Sequence, residues 1–367
     1  MKIKEGATNM GKLSSRQVGM LLFISIISTK FVLLPAIMVS IAGVESYFTL
    51  IIRMALDILT LIVCLWIINK NPNINFKECL EHSVGKAGSK IILVILYLYF
   101  SIKVLMTLKS MQNYMVEVLF DEFDLLHFLV PTMALLGFVI YKDLKVLARG
   151  VEFIFYAIFG LLIFGACLSL GKSHITNLVP FFDNGIEPIF NALLHSTICF
   201  GDYLVLLIIM GKYTPSKENT KRLWIYVFMG IGITVLFYIN FVAVFGRFSV
   251  AEPFAISDII LNTNSPETIA RLDWLIIIVW LISLILQCSL SLFCANECLC
   301  SVINFKHRET PVLINVVFFS SLLIIFASQI EVLIKLSFGT AVSIVLMVIQ
   351  FGIPLILLCS IPKRRAS

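Results

Sequence analysis

Ser28-Thr29-Lys30-Phe31-Val32-Leu33-Leu34-Pro35 lies inside the first long apolar segment of the chain, 17–42. A segment of that length can cross a bilayer, which takes about 20 residues. Two hydroxyls and a lysine stand near its middle, and a proline follows them. An ammonium at mid-membrane depth costs at least about 2.5–3.5 kcal/mol, so it faces a bundle interior or a wet cavity. The proline removes a backbone donor and crowds the preceding turn. The stretch therefore reads as a helix that breaks near its midpoint and turns polar groups toward a buried site. The competing reading is a continuous helix whose lysine pairs with a carboxylate for structure alone.

The rest of the composition agrees with a bilayer environment. Of 367 residues, 59% are hydrophobic and 14% charged, and the mean hydropathy is +1.00. The apolar residues fall in long runs, which excludes a soluble domain and predicts an all-α polytopic membrane protein, because lipid forces backbone groups into helices or closed barrels. Barrel strands would alternate over about ten residues, and no such alternation is present. The whole chain, 1–367, reads as one membrane domain. Lys2, Lys4, Lys12 and Arg16 precede the first segment without a small-residue cleavage site, so that segment is expected to remain as a helix. Cys64, Cys167, Cys199 and Cys288 sit in apolar runs and read as small buried hydrophobes. Cys294, Cys298 and Cys300 lack a second ligand pair, so neither a metal nor a cofactor is expected. A net charge of +6 needs no nucleic-acid partner, because topology accounts for it.

Ten spans are read: 17–42, 47–68, 91–119, 126–141, 151–170, 189–211, 223–246, 272–299, 312–329 and 336–360. Of the 28 Lys and Arg, 20 fall at the two termini and in the loops 69–90, 142–149, 212–222 and 301–311. Only Lys172, Arg247, Arg271 and Lys335 fall in the opposite loops. This bias predicts cytoplasmic termini. The opposite loops are acidic, with Asp121, Glu122, Asp124, Asp183 and Glu187. The longest, 247–271, carries Glu252, Pro253, Asp258, Pro266 and Glu267 and is expected to fold over the outer face as a short helix and lid.

Ten spans divide into two sets of five, 1–170 and 171–367. The first span of the second set carries Cys199-Phe200-Gly201-Asp202-Tyr203 at its midpoint, a glycine that loosens the helix beside another mid-membrane charge. Interrupted helices at matching positions of two halves point to an inverted-repeat transporter fold with its site at the breaks. Lys30, Lys103 and Asp202 fall at similar depth, as do Gln287 and Ser291, one turn apart in the eighth span. They read either as a pocket for a small polar solute, with freed amides at a half-helix N-terminus, or as a Lys–Asp pair that only holds helices together. Arg53 and Asp57, four apart, share a helix face and read as a structural ion pair. Lys109 and Glu117 are expected to snorkel, and His195 reads as a packing histidine. There is no P-loop, nucleophile elbow, HExxH or Gly-rich dinucleotide turn, so no enzyme is expected.

Several motifs resemble a known family. Leu13-Ser14-Ser15-Arg16-Gln17 resembles its opening, and Ser28 to Pro35 its first break. Thr176-Asn177-Leu178-Val179-Pro180 with Asp183-Asn184-Gly185-Ile186-Glu187-Pro188 is similar to its Asn-Leu-x-Pro…Gly-x-x-Pro segment, the most specific stretch. Phe200-Gly201, Arg271, Trp280 and Ala295-Asn296 match further positions. The family is the B subunit of bacterial spore-germination nutrient receptors, the spore permeases of the amino acid–polyamine–organocation superfamily. The resemblance implies a ten-helix fold like that of the leucine transporter, with helices 1 and 6 broken. It implies a role in sensing a germinant such as an amino acid at the spore inner membrane, with an A subunit and a lipoprotein C subunit as partners. Its pocket positions carry over to Ser28, Lys30, Lys103, Phe200, Gly201, Gln287 and Ser291; Thr29 and Asp202 join them from the reading of the charges. The family often has glycine where Ser28 and Lys30 stand, and an apolar residue where Lys103 stands, which implies a more polar pocket here. A proton-coupled amino-acid permease is the alternative.

Overall fold

The computed structural model describes residues 12–31, 34–72, 74–116, 125–179, 185–213, 217–252, 254–255, 258–259, 272–303, 305, 307 and 309–360. Helix α1 (Ser15–Ser28) begins at a reciprocal cap. The Gln17 amide donates to Ser14 Oγ at 3.2 Å, and the Ser14 amide donates to Gln17 Oε1 at 3.1 Å. Its residues are almost all buried, as befits a helix surrounded by others. It ends in a 3₁₀ turn, Thr29–Phe31, and α2 (Leu34–Ala42) resumes with Pro35 in its first turn. There the missing amide breaks no hydrogen bond, so the proline opens the second half-helix rather than kinking a continuous one.

Helices α3 (Ser46–Lys70) and α4 (Phe76–Tyr114) follow. The predicted loop 69–90 is mostly helical: Asn75 and Glu78 form a capping box and start α4, which kinks at Gly85, φ +76°. The predicted loop 142–149 shrinks to one residue. Asp143, at φ +90°, separates α5 (Leu125–Lys142) from α6 (Leu144–Ser169), and its carboxylate accepts from the Leu144 amide at 2.7 Å. That local hydrogen bond is what lets an aspartate adopt the left-handed region.

The segment read as the sixth span is helical only in pieces. Helix α7 (Glu187–His195) passes through a 3₁₀ turn, Thr197–Cys199, into extended Phe200 and left-handed Gly201. A second 3₁₀ turn, Asp202–Leu204, then enters the single turn α8 (Val205–Ile208). The chain continues through α9 (Lys217–Phe245), α10 (Leu272–Val302), α11 (Glu309–Ile325), α12 (Ala327–Ser337), α13 (Thr340–Met347) and α14 (Ile353–Ser360), with a π-helical stretch Val348–Gly352 between the last two. The most extensive packing joins α1 to α9 and α4 to α10.

Among the described residues six helices are long and apolar enough to cross a membrane: Leu34–Lys70, Phe76–Tyr114, Leu144–Lys172, Thr220–Ala251, Ile277–Val302 and Thr340–Cys359. Leu126–Lys142 and Glu309–Ile325 are shorter apolar helices, and the predicted spans 17–42 and 189–211 are the two that break. The protein is thus an all-helical, multi-pass membrane protein. Asp121, Glu122, Asp124, Glu117, Pro180, Asp183 and Asn184 lie outside the described residues, as do Arg271 and, within the expected lid, Pro253, Pro266 and Glu267. What is described there is a 3₁₀ stretch, Gly246–Ala251, and a turn in which the Phe254 amide donates to Asp258 Oδ2 at 2.9 Å; just before them Asn177 Nδ2 donates to the Ala243 carbonyl, at the end of α9, at 2.9 Å.

Candidate functional site

The two breaks face each other, and their charges meet. Lys30 Nζ donates to Asp202 Oδ2 at 2.5 Å, and Lys103 Nζ donates to Asp202 Oδ1 at 2.7 Å. One carboxylate at the second break thus holds a lysine from the first break and one from α4. Lys30, Asp202 and Lys103 are only 1%, 3% and 7% exposed, so the triad is shielded from water. Buried charges survive only when paired and fully hydrogen-bonded. Sharing the two oxygens between two ammonium groups satisfies the carboxylate and leaves the triad with one excess positive charge. The Phe200 ring lies beside it, 5.0 Å from Lys30 Nζ.

Gly201 is what permits the second break. Its φ of +78° suits glycine, and a Cβ there would stand 2.6 Å from Gln350 Cδ. The backbone groups freed by the break are satisfied by side chains from other helices. Gln350 Nε2 donates to the Thr197 carbonyl at 2.9 Å and to the Phe200 carbonyl at 3.2 Å. Tyr99 OH donates to the Phe200 carbonyl at 3.0 Å, and the Gly201 amide donates to Asp57 Oδ2 at 3.4 Å. These side chains do at a helix interruption what caps do at a helix end.

Arg53 and Asp57 therefore do not form the ion pair read from their spacing. The Arg53 guanidinium instead bonds Gln350 Oε1 and lies 5.2 Å from the Phe200 ring centroid, while Asp57 turns to the Gly201 amide. Sharing a helix face put both residues at the right depth, but inter-helix partners outcompeted the local one. Gln350 sits in the π-helical stretch, where an extra residue per turn re-aims a side chain.

The remaining expected site residues are buried but separate. Ser28 Oγ donates to the Ile24 carbonyl at 2.6 Å and the Ser283 carbonyl at 3.1 Å, which ties the first break to α10. Thr29 is half-buried on the 3₁₀ turn. Gln287 and Ser291 are buried on α10, and no hydrogen bond joins either to the charged triad. Gln287 Oε1 has no hydrogen-bond partner among the described residues. His195 packs as expected, with Nδ1 on the Phe338 carbonyl. Lys109 bonds Gln112 Oε1 at 3.2 Å. Reading the sequence missed Gln350, Tyr99 and Ser283; the one available signal was a glutamine in the middle of an otherwise apolar segment.

A second cluster lies at the far end of the broken sixth segment. Lys212 Nζ donates to Asp143 Oδ1 at 3.1 Å and to Glu297 Oε1 at 3.0 Å. The Leu13 amide donates to the Lys212 carbonyl at 2.8 Å, and the Ser15 and Tyr213 hydroxyls share a hydrogen bond at 3.0 Å. A cavity of about 440 Å³ opens beside this cluster, lined among others by Asn75, Lys77, Gly211 and Glu297. No group of metal-ligating side chains occurs among the described residues. Chemically, the central arrangement concentrates charge and hydrogen-bonding groups at two helix breaks, where they bond one another.

Residues 12–332 match the family described as "Spore germination protein" (Spore_permease). Spore germination protein KB of Bacillus subtilis (strain 168) is 22% identical over 214 residues, and the match spans 57% of either chain. Solved structures that share the fold include two transporters. Mhp1, a nucleobase-cation-symport-1 family transporter in a closed conformation with bromovinylhydantoin bound, superposes with a TM-score of 0.66 at 13% identity, over 93% of this chain and 78% of that one. A Na+-coupled sialic acid symporter in a substrate-bound outward-open state gives 0.62 at 14% identity, over 93% and 79%.

Proposed function

The chain belongs to the spore permease family of spore germination proteins, and we propose that within it this protein is the germinant-binding B subunit of a nutrient receptor. It takes a small polar solute such as an amino acid into a transporter-like pocket and triggers germination without chemistry of its own. The observation that carries this reading is the meeting of Lys30 and Asp202 at two facing helix breaks, with Lys103 on the other carboxylate oxygen. The pocket comprises Ser28, Thr29, Lys30, Lys103, Phe200, Gly201, Asp202, Gln287 and Ser291. The fold we propose has ten spans in inverted halves 1–170 and 171–367, a reading supported by the six long apolar helices, the two shorter ones and the two broken segments. In this reading both termini lie in the cytoplasm, which the cation bias of the loops supports, and the membrane is the spore inner membrane. An A subunit and a lipoprotein C subunit complete the receptor.

A proton-coupled amino-acid permease is the second reading. It draws on the likeness to solute symporters and on Asp57, a buried carboxylate at the second break. One experiment separates the two. The purified chain is reconstituted in proteoliposomes and given a mixture of the twenty radiolabelled amino acids under an inward proton gradient. In parallel, spores lacking the gene are screened for loss of response to each amino acid. The receptor reading expects a lost germination response and no gradient-driven uptake. Uptake that collapses with a protonophore would establish the permease instead.

A further inference from the structure

Helices α5 and α11 pack side by side and leave an apolar groove of about 560 Å³ between them. Its walls include Met133, Phe138, Val312, Leu313 and Val316, and its floor is Gly137. A Cβ at position 137 would stand 3.0 Å from Val316 Cγ2, so the absent side chain is what keeps the groove deep. Phe138 and Leu313 are exposed on its lips, so it opens sideways from the bundle. At one end it runs into a second, polar cavity of about 370 Å³ formed by Tyr141, Lys142, His307 and Glu309. Tyr141 and Glu309 line both cavities, so the two adjoin.

The shape is amphipathic, and so must its occupant be. From Met133 to Tyr141 the helix rises about 12 Å at 1.5 Å per residue. That fits within one leaflet of a hydrocarbon core about 30 Å thick. The polar end carries both signs of charge. Lys142 Nζ stands 5.6 Å from the ring centroids of both Phe138 and Tyr141, which holds the ammonium at the rim. Glu309 Oε1 accepts from Tyr141 OH at 3.3 Å, which fixes the carboxylate beside it. A headgroup with only negative charge would face Glu309 unfavourably. A quaternary ammonium would offer Glu309 no hydrogen bond. A phosphate next to a primary ammonium matches Lys142 and His307 on one side and Glu309 on the other.

We propose that the α5–α11 groove is a binding site for one phospholipid of the phosphatidylethanolamine type, with an acyl chain over Gly137 and the headgroup between Lys142, His307 and Glu309. None of the residues that line this site belongs to the helix breaks, and the proposal stands whether or not a germinant binds there.

The test is native mass spectrometry of the purified full chain titrated with phosphatidylethanolamine, phosphatidylglycerol and phosphatidylcholine of matched acyl chains. Phosphatidylethanolamine should be retained about threefold more tightly than either rival, the scale of one exposed charge contact. Glu309→Gln should erase its advantage over phosphatidylglycerol. Gly137→Leu should fill the groove and remove the preference; if that variant fails to fold, Val316→Phe fills it from the opposite wall. Leu98→Ala, exposed on α4 away from the groove, should change nothing. Equal retention of the three lipids would overturn the proposal. So would tighter retention of phosphatidylglycerol, or a preference that survives both Glu309→Gln and the filled groove.

Discussion

Two three-charge clusters in this molecule are mirror images in sign. At the helix breaks one carboxylate, Asp202, holds two lysines; at the far end of the sixth segment one lysine, Lys212, holds two carboxylates. The distances are alike, between 2.5 and 3.1 Å. The surroundings are not. Side chains of the first cluster are 1–8% exposed, and those of the second 30–35%. Where water is excluded, a broken pair strands a charge with nothing to solvate it. Where water reaches, solvent and salt replace the partner at little cost. The first cluster is therefore a condition for the fold around the breaks, and the second an adjustable tie between α6, α10 and the chain beside Leu13.

Removing the centre of each cluster should separate them most sharply. Asp202→Ala leaves two ammonium groups facing each other in a buried site, a loss on the order of 3–5 kcal/mol. Immunoblots of membranes should show the protein strongly depleted; normal abundance would mean the triad is wet or already open.

A smaller effect is expected from the neutral groups that hold the second break open. Gln350→Leu removes one of two donors to each of the Thr197 and Phe200 carbonyls, which keep the Phe200 amide and Tyr99 OH respectively, and takes away the hydrogen-bond partner of buried Arg53. An unsatisfied buried polar group costs about 1–3 kcal/mol. Thermal unfolding of the purified protein in detergent should fall accordingly. Gln350→Glu, which pairs better with Arg53 but cannot donate to the carbonyls when ionised, should recover only part of it. Full recovery would show that Arg53, rather than the broken backbone, is what Gln350 serves.

The smallest effect belongs to the second cluster. Lys212→Gln should cost at most about 1 kcal/mol. Raising the salt from low to high concentration should destabilise the wild type toward the variant and leave the variant unchanged, because exposed pairs are screened. An effect as large as that of Asp202→Ala would place Lys212 among the groups that water cannot rescue.

The breaks themselves were legible in the sequence. A lysine with two hydroxyls and a proline, and a glycine next to an aspartate, are conspicuous inside apolar runs, and their shared depth placed them together. The partners that complete the site were not legible. Spacing along one helix assigned Arg53 to Asp57, but spacing says nothing of a neighbouring helix, and Gln350 comes from a span nearly 300 residues away. Gln287 and Ser291 matched in depth yet make no bond to the triad, because depth fixes a layer and not a direction. The loop read at 69–90 went wrong differently. It was read only as a connection between spans whose lysines were counted, although Asn75 and Glu78 carry a helix-start signal three residues apart.

The central claim is that the pocket at the breaks senses a solute through this charged triad. It is tested most directly by germination dose–response, with protein level measured alongside, for Lys30→Met and Lys103→Met. The stimulus is whichever of the twenty amino acids triggers wild-type spores. Either substitution leaves Asp202 with one lysine, so the remaining pair is neutral and abundance should stay near normal. At least one variant should need about tenfold more amino acid, the equivalent of about 1.4 kcal/mol of lost binding. Wild-type dose–response from both variants at wild-type abundance would contradict the account and reduce the triad to a structural tie.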